Sequence, residues 1–541
     1  MGTTTPISQS KKRKEAANSD SIACFNPGTL EPLGEVENMR PAQVLEIVAR
    51  ARKAQPQWAN ASFAERKKVF RALLDYVLAH QDEIADVCVK DSGKTRVDAL
   101  LGEVIPVCEK LRYVIQNGER DLAAEPRSSG FLVNKRVRVE YPPLGVVGVI
   151  CPFNFPFHNV FCPAIPALFA GNAVVLKVSE WTSWSAKYFQ SIFDAILSRF
   201  GYSTDLVQLV TGDGQTGSAL VTSGVEKIFF TGSPQNGKKV MAAAVDTLTP
   251  VILELGGKDP MIICDDAPFD HAVSTAMLGV FTACGQMCVG AERIYVMDGI
   301  YDRFVAEVVR RVSALRQGPA SEDKGGEFDV GAQTMPRQLD IIEKQVNDAV
   351  KKGAKVLVGG KRNTALNGQF WLPTVLADVT HEMAITQEET FGPVMTIIRV
   401  KDEDEAIRLA NDCAYGLGSS VFTKNAARGE RIAKAISAGM AVVNDYGLGY
   451  MMQSAPFGGL RVSGFGRING REGLRACTAE KTVVTDRIPM NKSVGFYPIS
   501  AITFPLVRDV TTLLYAGSLG ARLSALASAA KTVLGKSSPA R

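Results

Sequence analysis

Histidine is scarce in this chain, with 4 residues in 541, and no two of them are closely spaced. This leaves little material for a zinc site, which draws its ligands from neighbouring Cys and His residues. The 10 cysteines are scattered without disulfide-like spacing, which is typical of a reducing compartment. Cys284 and Cys288 lie four apart without a second ligand pair. We therefore predict no bound metal.

An excess of one sign of charge is also missing. Lys and Arg number 61 against 56 Asp and Glu, which gives a net charge of +5 on a long chain. Such a balance does not indicate nucleic acid as a partner. The basic run at residues 11–14 lies in a polar head, residues 1–22, that we predict to be disordered. A nuclear-targeting signal and a phosphate-binding patch are the alternative interpretations of that run.

Long apolar runs are absent as well. None reaches the roughly 18 residues that indicate a membrane-spanning helix, and the N-terminus lacks the apolar core of a signal peptide. We therefore expect a cytoplasmic protein. Residues 493–507 and 510–521 are uncharged but short. This C-terminal extension, residues 491–541, is predicted to pack on the protein or a partner, with peripheral membrane contact as the alternative.

What the chain does contain is an alternation of helices and short buried strands. Apolar spacing is helical from about residue 41 to residue 120, and residues 133–141 then alternate apolar and charged side chains. After them come near-continuous apolar runs, which are typical of buried parallel strands. The runs are residues 145–150, 173–177, 206–210, 227–230, 293–296 and 394–400. With 46% hydrophobic residues, the chain is predicted to form two doubly wound α/β domains.

Two segments near the middle of the chain suggest covalent catalysis. Cys288 follows a Gly-Gln pair, and Glu254 stands 34 residues upstream, just before a double glycine. A cysteine is a soft nucleophile that can form a covalent adduct, and a nearby glutamate can activate the water that releases it. Either segment alone would be a weak signal.

Three further segments are ambiguous when each is taken alone. Gly232, Ser233 and Gly237 form a strand-to-helix turn that could approach a phosphate, although an ordinary turn explains it better. Lys177 and Glu180 could hold a ribose, with the carboxylate repelling a 2′-phosphate, or form a surface charge pair. Asn154, between aromatics and prolines, could stabilise an oxyanion or merely fix a turn.

Taken in order, these segments resemble the aldehyde dehydrogenase superfamily. The resemblance covers roughly residues 25 to 490 and rests on Phe-Asn-Phe-Pro (153–156), Lys-x-Ser-Glu (177–180), Phe-x-Gly-Ser (230–233), Glu-Leu-Gly-Gly-Lys (254–258), Gly-Gln-x-Cys (285–288), Glu-Glu-x-Phe-Gly-Pro (388–393) and Pro-Phe-Gly-Gly (456–459). Seven ordered motifs do not arise by chance. Finer details are most similar to the plant family-22 branch and its fungal relatives. They are Pro-Phe-Asn-Phe-Pro-Phe-His-Asn (152–159), Cys-Val-Gly-Ala-Glu-Arg (288–293), Asn-Asp-Tyr (444–446) and Gly-Leu-Arg-Ala-Cys (473–477).

The resemblance implies a fold of two α/β domains with a small β oligomerisation arm. It places an NAD-binding domain at residues 23–130 and 145–250, and a catalytic domain at 251–469. The arm would comprise residues 131–144 and 470–490, and it implies a homodimer or homotetramer.

The resemblance also implies the chemistry. Cys288 would attack an aldehyde, Asn154 and the Cys288 N–H would hold the oxyanion, and Glu254 would activate the hydrolytic water. The cofactor would be NAD rather than NADP. Lys177, Glu180, Gly232, Ser233, Gly237, Glu389 and Phe391 match cofactor-binding positions, and Phe155 and Phe457 match the aromatic aldehyde tunnel.

Two departures from the family pattern stand out. Ile468 occupies the position of a relay glutamate, so Glu254 would carry the proton transfers alone, and Cys162 aligns near a common tunnel tryptophan. Cys284 has no assigned role; a packed thiol is favoured over a disulfide with Cys288. The alternatives are a membrane-associated protein with low activity, and a CoA-acylating semialdehyde dehydrogenase, which the presence of Glu254 disfavours.

Overall fold

The computed structural model describes residues 20–323, 325–488 and 497–534. Contacts divide the chain into two compact units. The larger comprises the described residues up to Leu122 together with Tyr141–Ala479, and the smaller comprises Ala123–Glu140 and the described residues from Glu480 onward. The predicted disordered head falls almost wholly on residues outside the described part. Its last three residues, 20–22, are an exception, and the first strand already begins at Ser21.

The regular elements alternate along the chain. The strands are β1 (Ser21–Phe25), β2 (Pro32–Glu37), β3 (Glu125–Arg127), β4 (Lys135–Glu140), β5 (Val146–Ile150), β6 (Ala173–Lys177), β7 (Val207–Val210), β8 (Lys227–Gly232), β9 (Val251–Leu255), β10 (Asp259–Ile263), β11 (Ala291–Met297), β12 (Lys355–Val358), β13 (Thr374–Ala377), β14 (Val394–Val400), β15 (Ser420–Phe422), β16 (Val442–Val443), β17 (Gly464–Phe465) and β18 (Lys481–Asp486). The helices are α1 (Pro41–Ala59), α2 (Phe63–Ala79), α3 (Gln81–Ser92), α4 (Arg96–Ala99), α5 (Ile105–Asp121), α6 (Pro156–Phe169), α7 (Ala186–Arg199), α8 (Gly214–Thr222), α9 (Pro234–Val245), α10 (Phe269–Phe281), α11 (Asp298–Val312), α12 (Pro336–Lys351), α13 (Ala384–Gln387), α14 (Glu403–Asn411), α15 (Ala426–Ala435), α16 (Leu448–Met451), α17 (Gly470–Arg475), α18 (Thr503–Tyr515) and α19 (Leu519–Leu534). A π-helical turn, Leu100–Val104, joins α4 to α5.

A six-stranded sheet forms the first half of the larger unit, in the order β17-β9-β8-β5-β6-β7. Strands β5 to β9 pair in parallel, and β17 joins β9 in the antiparallel sense. The apolar runs predicted as buried strands are confirmed at β5, β6, β7 and β8, each within a residue or two. They fold this way because helices cover both faces of such a sheet, so no strand face meets water.

A seven-stranded sheet forms the second half, in the order β12-β13-β14-β11-β10-β15-β16. All of its neighbours pair in parallel except β12 with β13. The predicted strands at 293–296 and 394–400 are confirmed as β11 and β14. Because β9 belongs to the six-stranded sheet, the change of sheet falls between Leu255 and Asp259, one strand later than the predicted boundary at 250/251. The two-domain α/β fold class is confirmed.

The smaller unit contains a three-stranded antiparallel sheet in the order β18-β4-β3. It overlaps both segments of the predicted arm, although Gly470–Arg475 is a helix of the larger unit. The role of this sheet in oligomerisation stays a prediction.

The C-terminal part of the smaller unit is a pair of helices, α18 and α19, that pack against each other. Their exposed large apolar side chains are Phe504, Val507, Val510, Leu514, Tyr515, Leu519, Leu523, Leu526, Val533 and Leu534. Among the described helices, none combines the length and apolarity required to cross a membrane. Peripheral membrane contact by this pair stays a prediction.

Candidate active site

The larger unit encloses a cavity of about 1110 Å³. Its walls come from the carboxyl ends of the parallel strands β5, β8 and β9, from the turn before β11 and from the loop before β14. Ligands of open α/β sheets bind at this edge, where successive loops diverge. The predicted site residues that line it are Asn154, Phe155, Glu180, Gly232, Ser233, Glu254, Cys288, Glu389 and Phe391.

Three predicted site residues are not part of the cavity wall. Lys177 ends β6 and donates from Nζ to Glu180 Oε2 at 3.3 Å, so it acts on the cavity through Glu180. Gly237 packs against β9, where an added Cβ would lie 2.7 Å from Leu255 Cδ2. Phe457 is 1% exposed and lies behind Tyr450, with ring centroids 4.8 Å apart. Gly237 and Phe457 thus shape the site by packing, and Tyr450, which covers Phe457, lines the wall.

Cys288 and Glu254 come together at the centre of the cavity. Each changes the pKa of the other, which requires the thiol and the carboxyl to be close neighbours. Burial raises the pKa of Glu254 to about 7, while hydrogen bonds with Cys288 and Thr231 oppose the shift. Burial and the Glu254 charge hold the pKa of the Cys288 thiol well above its ordinary value. Near neutral pH the thiol is protonated and the carboxylate can accept a proton.

Two close contacts with neighbouring segments explain why a pair of glycines follows Glu254 so closely. An added Cβ at Gly256 would lie 2.2 Å from Glu389 Oε2, and one at Gly257 would lie 2.3 Å from the Cys288 carbonyl oxygen. Real Cβ atoms do not come this close to other heavy atoms. Only glycines let the chain pass between the nucleophile loop and Glu389, whose Oε1 accepts from Gly257 N–H at 3.0 Å.

Asn154 is oriented by a chain of side-chain hydrogen bonds. Its Oδ1 accepts from Asn159 Nδ2 at 3.1 Å, and its Nδ2 donates to the Gln286 carbonyl at 3.0 Å. Asn159 Oδ1 lies 3.1 Å from His158 Nδ1, and His158 Nε2 bonds to the Tyr450 hydroxyl. Burial lowers the pKa of His158 to about 3, so the ring is neutral. An Asn amide has two N–H donors, so one remains for an oxyanion.

The elements expected to bind a cofactor occupy another part of the wall. Ser233 is the N-cap of α9 and its Oγ accepts from Asn236 N–H at 3.3 Å. The N-terminus of a helix attracts phosphate through unpaired N–H groups and its dipole. Glu180, reached by Lys177, lines the same region.

Glu389 and Phe391 stand on a turn that a residue missed by the sequence analysis holds in place. Glu292 on β11 accepts from Thr390 N–H at 2.8 Å and from Phe391 N–H at 2.8 Å, and it bonds to Lys258 Nζ. Phe391 adopts a positive φ of 52°, a conformation that costs free energy and persists only when its surroundings enforce it. Glu292 belongs to the Cys-Val-Gly-Ala-Glu-Arg segment that the sequence analysis quoted, but only the structure shows which groups Glu292 binds.

The departures from the family pattern are visible at the site. Ile468 and Cys162, the two positions at which the resemblance implied a relay glutamate and a tunnel tryptophan, both line the cavity. Cys284 is fully buried at a positive φ of 58°, and Gln333 Nε2 lies 3.4 Å from its Sγ. All ten cysteines are free thiols. Within the described ranges, no group of three or more His, Cys, Asp or Glu is placed to hold a metal ion.

Comparison with known proteins gives consistent matches. The model of the aldehyde dehydrogenase family matches residues 14–483. An aldehyde dehydrogenase-like protein of Schizosaccharomyces pombe is 39% identical over 474 residues, 87% of this chain and 90% of that protein. The mitochondrial succinate-semialdehyde dehydrogenase of Arabidopsis thaliana is 36% identical over 465 residues, 85% of each chain.

Solved structures agree. An NADP-dependent enzyme of E. coli superposes with a TM-score of 0.80 at 32% identity, covering 87% of this chain and 95% of that one. A betaine aldehyde dehydrogenase of Staphylococcus aureus, in complex with NAD+, gives a TM-score of 0.82 at 30% identity, covering 89% and 96%. With the ordered motifs, the two mostly parallel sheets and a half-buried cysteine near a carboxyl, these matches show that the chain belongs to the aldehyde dehydrogenase family, near its fungal relatives.

Proposed function

We propose that this protein oxidises an aldehyde to a carboxylic acid with NAD, through a thiohemiacetal and a thioester on Cys288. The observation that carries the proposal is the pairing of Cys288 with Glu254 inside one cavity that also presents Asn154 and the cofactor elements. Aldehyde oxidation follows from the family; the cofactor and the covalent route are the proposal.

The residues present fit a dinucleotide. The N-terminus of α9 offers N–H groups to a pyrophosphate, Glu180 offers a carboxylate to ribose hydroxyls, and Glu389, which lines the same cavity, offers another. A carboxylate at Glu180 would repel a 2′-phosphate, which favours NAD over NADP. When bound, the nicotinamide would supply the acceptor for a hydride.

The chain's own residues account for addition to the aldehyde. Glu254 accepts the thiol proton as Cys288 Sγ bonds to the carbonyl carbon, because the thiolate alone is scarce at neutral pH. The new oxyanion receives hydrogen bonds from the second Asn154 N–H and the Cys288 N–H. One such donor contributes about 3–4 kcal/mol to the transition state.

Glu254 is also the residue that releases the product. Loss of hydride from the thiohemiacetal leaves a thioester on Cys288. Once Glu254 has released the thiol proton to solvent, its carboxylate takes a proton from the water that attacks the thioester, and Cys288 leaves as the thiol. Ile468 cannot share this task. The pKa of about 7 suits a general base working near neutral pH, because both protonation states are then populated.

The alternatives fit the site less well. A CoA-acylating enzyme hands its acyl group to a thiol and has no need of a water-activating base such as the buried Glu254. A protein without turnover has no need of the oriented Asn154 amide. CoA-dependent product formation would revive the first alternative.

The proposal is tested with purified full-length protein, a panel of aldehydes and either NAD or NADP, read by reduced-cofactor absorbance. We expect turnover with NAD to exceed turnover with NADP, and Cys288→Ala to abolish it. Cys284→Ala is the matched control, because that thiol is buried away from the cavity wall. Absence of reduced cofactor with every aldehyde, while Cys288 still alkylates, would reject the proposal.

We also propose that the three-stranded sheet mediates a homodimer or homotetramer. Its outer strand β18 is largely exposed, and no other described strand pairs with its outer edge, which is suited to pairing with another chain. Light scattering of the full chain and of a Val484→Lys variant would test this. A monomeric wild type, or an unchanged oligomer in the variant, would argue against the sheet as the contact.

A further inference from the structure

One charged side chain on the cavity wall takes no part in the reaction above. Lys110 stands on α5 one helical turn after Pro106, and both line the cavity. Facing them, α6 contributes His158 and Cys162, again one turn apart. Residues spaced by four share one face of a helix, so these two helices present one continuous wall.

Lys110 is a buried cation that has no carboxylate partner in the part of the chain that the structure describes. It is 3% exposed, and within the described residues its ammonium has one hydrogen-bond partner, Asn469 Oδ1. The other lysines buried this deeply differ. Lys94 pairs with Glu103, and Lys258 pairs with Glu292. An ammonium has three N–H donors, so Lys110 retains two for a ligand.

The surroundings of Lys110 favour an incoming anion. Burial lowers the pKa of Lys110 to about 8, and the titratable groups that oppose this shift are the thiols of Cys162 and Cys477. An unpaired buried charge is costly, and an anion placed beside it removes much of that cost. Asn469 cannot supply the counter-charge, since its amide is neutral and its Nδ2 already donates to the Tyr450 carbonyl at 3.1 Å.

Tyr450 connects this lysine to the reacting atoms. Burial raises the pKa of the Tyr450 hydroxyl, and charges at Cys162, Cys288 and Glu254 raise it further, so the hydroxyl lies near all three. Tyr450 and Cys288 line the same cavity, and the Tyr450 carbonyl accepts from Asn469, the hydrogen-bond partner of Lys110. A substrate whose aldehyde carbon meets Cys288 therefore extends along Tyr450 toward Lys110. The small thiol at Cys162 leaves space there that an indole would fill.

We propose that Lys110 binds the carboxylate of the substrate, and that this enzyme oxidises aldehydes carrying a second, anionic end, namely ω-oxo carboxylic acids. This inference rests on the proposed aldehyde oxidation and names its substrate class. The product would be a dicarboxylate.

A single carboxylate fits this end of the cavity better than a phosphate. Among the described residues of the wall, the other cationic side chains are Lys239 on α9, and Arg337 and Lys344 on α12. Those helices carry cofactor elements, since α9 begins after Ser233 and α12 bonds to the Thr390 and Glu389 carbonyls. One ammonium balances a monoanion, whereas phosphate recognition generally uses several cations or a bidentate guanidinium.

The first experiment compares ω-oxo acids of four and five carbons with the unsubstituted aldehydes of the same lengths. We expect the wild type to favour the ω-oxo acids in kcat/KM. Lys110→Met should lower kcat/KM for the ω-oxo acids by about 10- to 100-fold, mainly through KM, because a charged hydrogen bond remote from the reacting atoms is lost. The same variant should keep its activity with the unsubstituted aldehydes.

Arg112→Met is the matched control, since Arg112 lies on the same helix but is exposed and pairs with Glu109. It should leave both substrate classes unchanged. A wild type without preference for ω-oxo acids, or a Lys110→Met variant that loses both classes equally, would overturn the inference.

A second experiment does not depend on turnover. Iodoacetamide, which is uncharged, alkylates Cys288, and succinate or glutarate should slow this alkylation more than butanoate or pentanoate does. In Lys110→Met the dicarboxylates should protect no better than the monocarboxylates. If no aldehyde is oxidised but the dicarboxylates protect in this way, the proposed reaction fails while Lys110 as a carboxylate site stands. Equal protection by both classes in the wild type would overturn that site.

Discussion

Replacing Glu254 by glutamine separates the two tasks assigned to this carboxyl. The side chain is 5% exposed, and its Oε1 has no hydrogen-bond partner among the described residues. Glutamine has the same shape, so the cavity is preserved while the base is removed. General-base catalysis contributes about 10²- to 10⁴-fold, which sets the expected loss in the steady-state rate.

The structure predicts which step of the reaction fails. The Glu254 charge helps to hold the pKa of the Cys288 thiol above its ordinary value. Glutamine removes that charge, so the thiolate forms at lower pH and the thioester can still be made under alkaline conditions. Water activation has no substitute. We therefore expect a burst of NADH of about one equivalent per active site, followed by slow turnover with the acyl group on Cys288.

The same variant has a calculable effect on stability. The pKa of Glu254 rises from an ordinary 4.5 in the unfolded chain to about 7 in the folded protein. The folded state therefore binds more protons between these values, and its stability falls as the pH rises from 4.5 to 7. At about 1.4 kcal/mol per unit, the penalty above pH 7 reaches roughly 3 kcal/mol. Glutamine should relieve it, so the variant should be more stable than the wild type at pH 8 and gain nothing at pH 4.5.

Rapid-mixing absorbance measures the NADH burst, and mass spectrometry of the quenched enzyme measures the acyl adduct on Cys288. Thermal unfolding at several pH values measures the stability. Unimpaired turnover in Glu254→Gln would show that the base is misassigned. A variant with neither burst nor adduct at alkaline pH would show that Glu254 is indispensable for addition as well. Equal stability of both proteins at pH 8 would refute the burial argument.

Three further predictions follow from the same contacts. Asn154→Ala should lower kcat by about 10²- to 10³-fold with little change in KM, since it removes a hydrogen-bond donor to the oxyanion. A change in KM alone would instead assign Asn154 to substrate binding. Glu292→Gln should raise the KM for NAD, because it weakens the hydrogen bonds that support the Glu389 turn. It should also lower the unfolding temperature, because removing the Glu292 charge leaves Lys258 buried without its ion-pair partner, which costs about 3–5 kcal/mol of stability. An unchanged KM for NAD would show that the turn does not contribute to cofactor binding. If the apolar side chains of α18 and α19 contact a membrane, the full chain should pellet with anionic liposomes more than a 1–490 truncation, and equal pelleting would exclude the tail as an anchor.

Sequence reasoning worked best where a local rule is strong. Buried parallel strands must be apolar on both faces, so β5, β6 and β8 could be predicted within a residue or two. It worked less well at boundaries, because the strand β9 is as apolar as its neighbours and nothing local shows which sheet it joins. The head predicted to reach residue 22 is another such case, since strand β1 depends on pairing with β2.

The candidate site divides in the same way. The order of motifs predicted Cys288, Glu254 and Asn154, because their chemistry depends on the residue type and on the short motif around each residue. Phe457 was predicted to line the aldehyde tunnel and Gly237 to bind the cofactor. In the structure, Phe457 packs against Tyr450 and Gly237 packs against Leu255. A motif indicates that a residue is important, but it does not show which atoms lie next to that residue.

The sequence alone determined the family and the alternation of strands and helices, and it predicted the nucleophile and the base, since each of these depends on short segments. Only the tertiary structure placed Lys110 beside Asn469, 359 positions away, and without a carboxylate partner among the described residues. It also set Glu292 under the Glu389 turn and joined Tyr450 to His158 and so to Asn154. The physical reason is that the pKa of a charged side chain depends on its burial and on its ion-pair and hydrogen-bond partners. These arise only when distant segments pack together, and they decide whether the charge is left to bind a ligand.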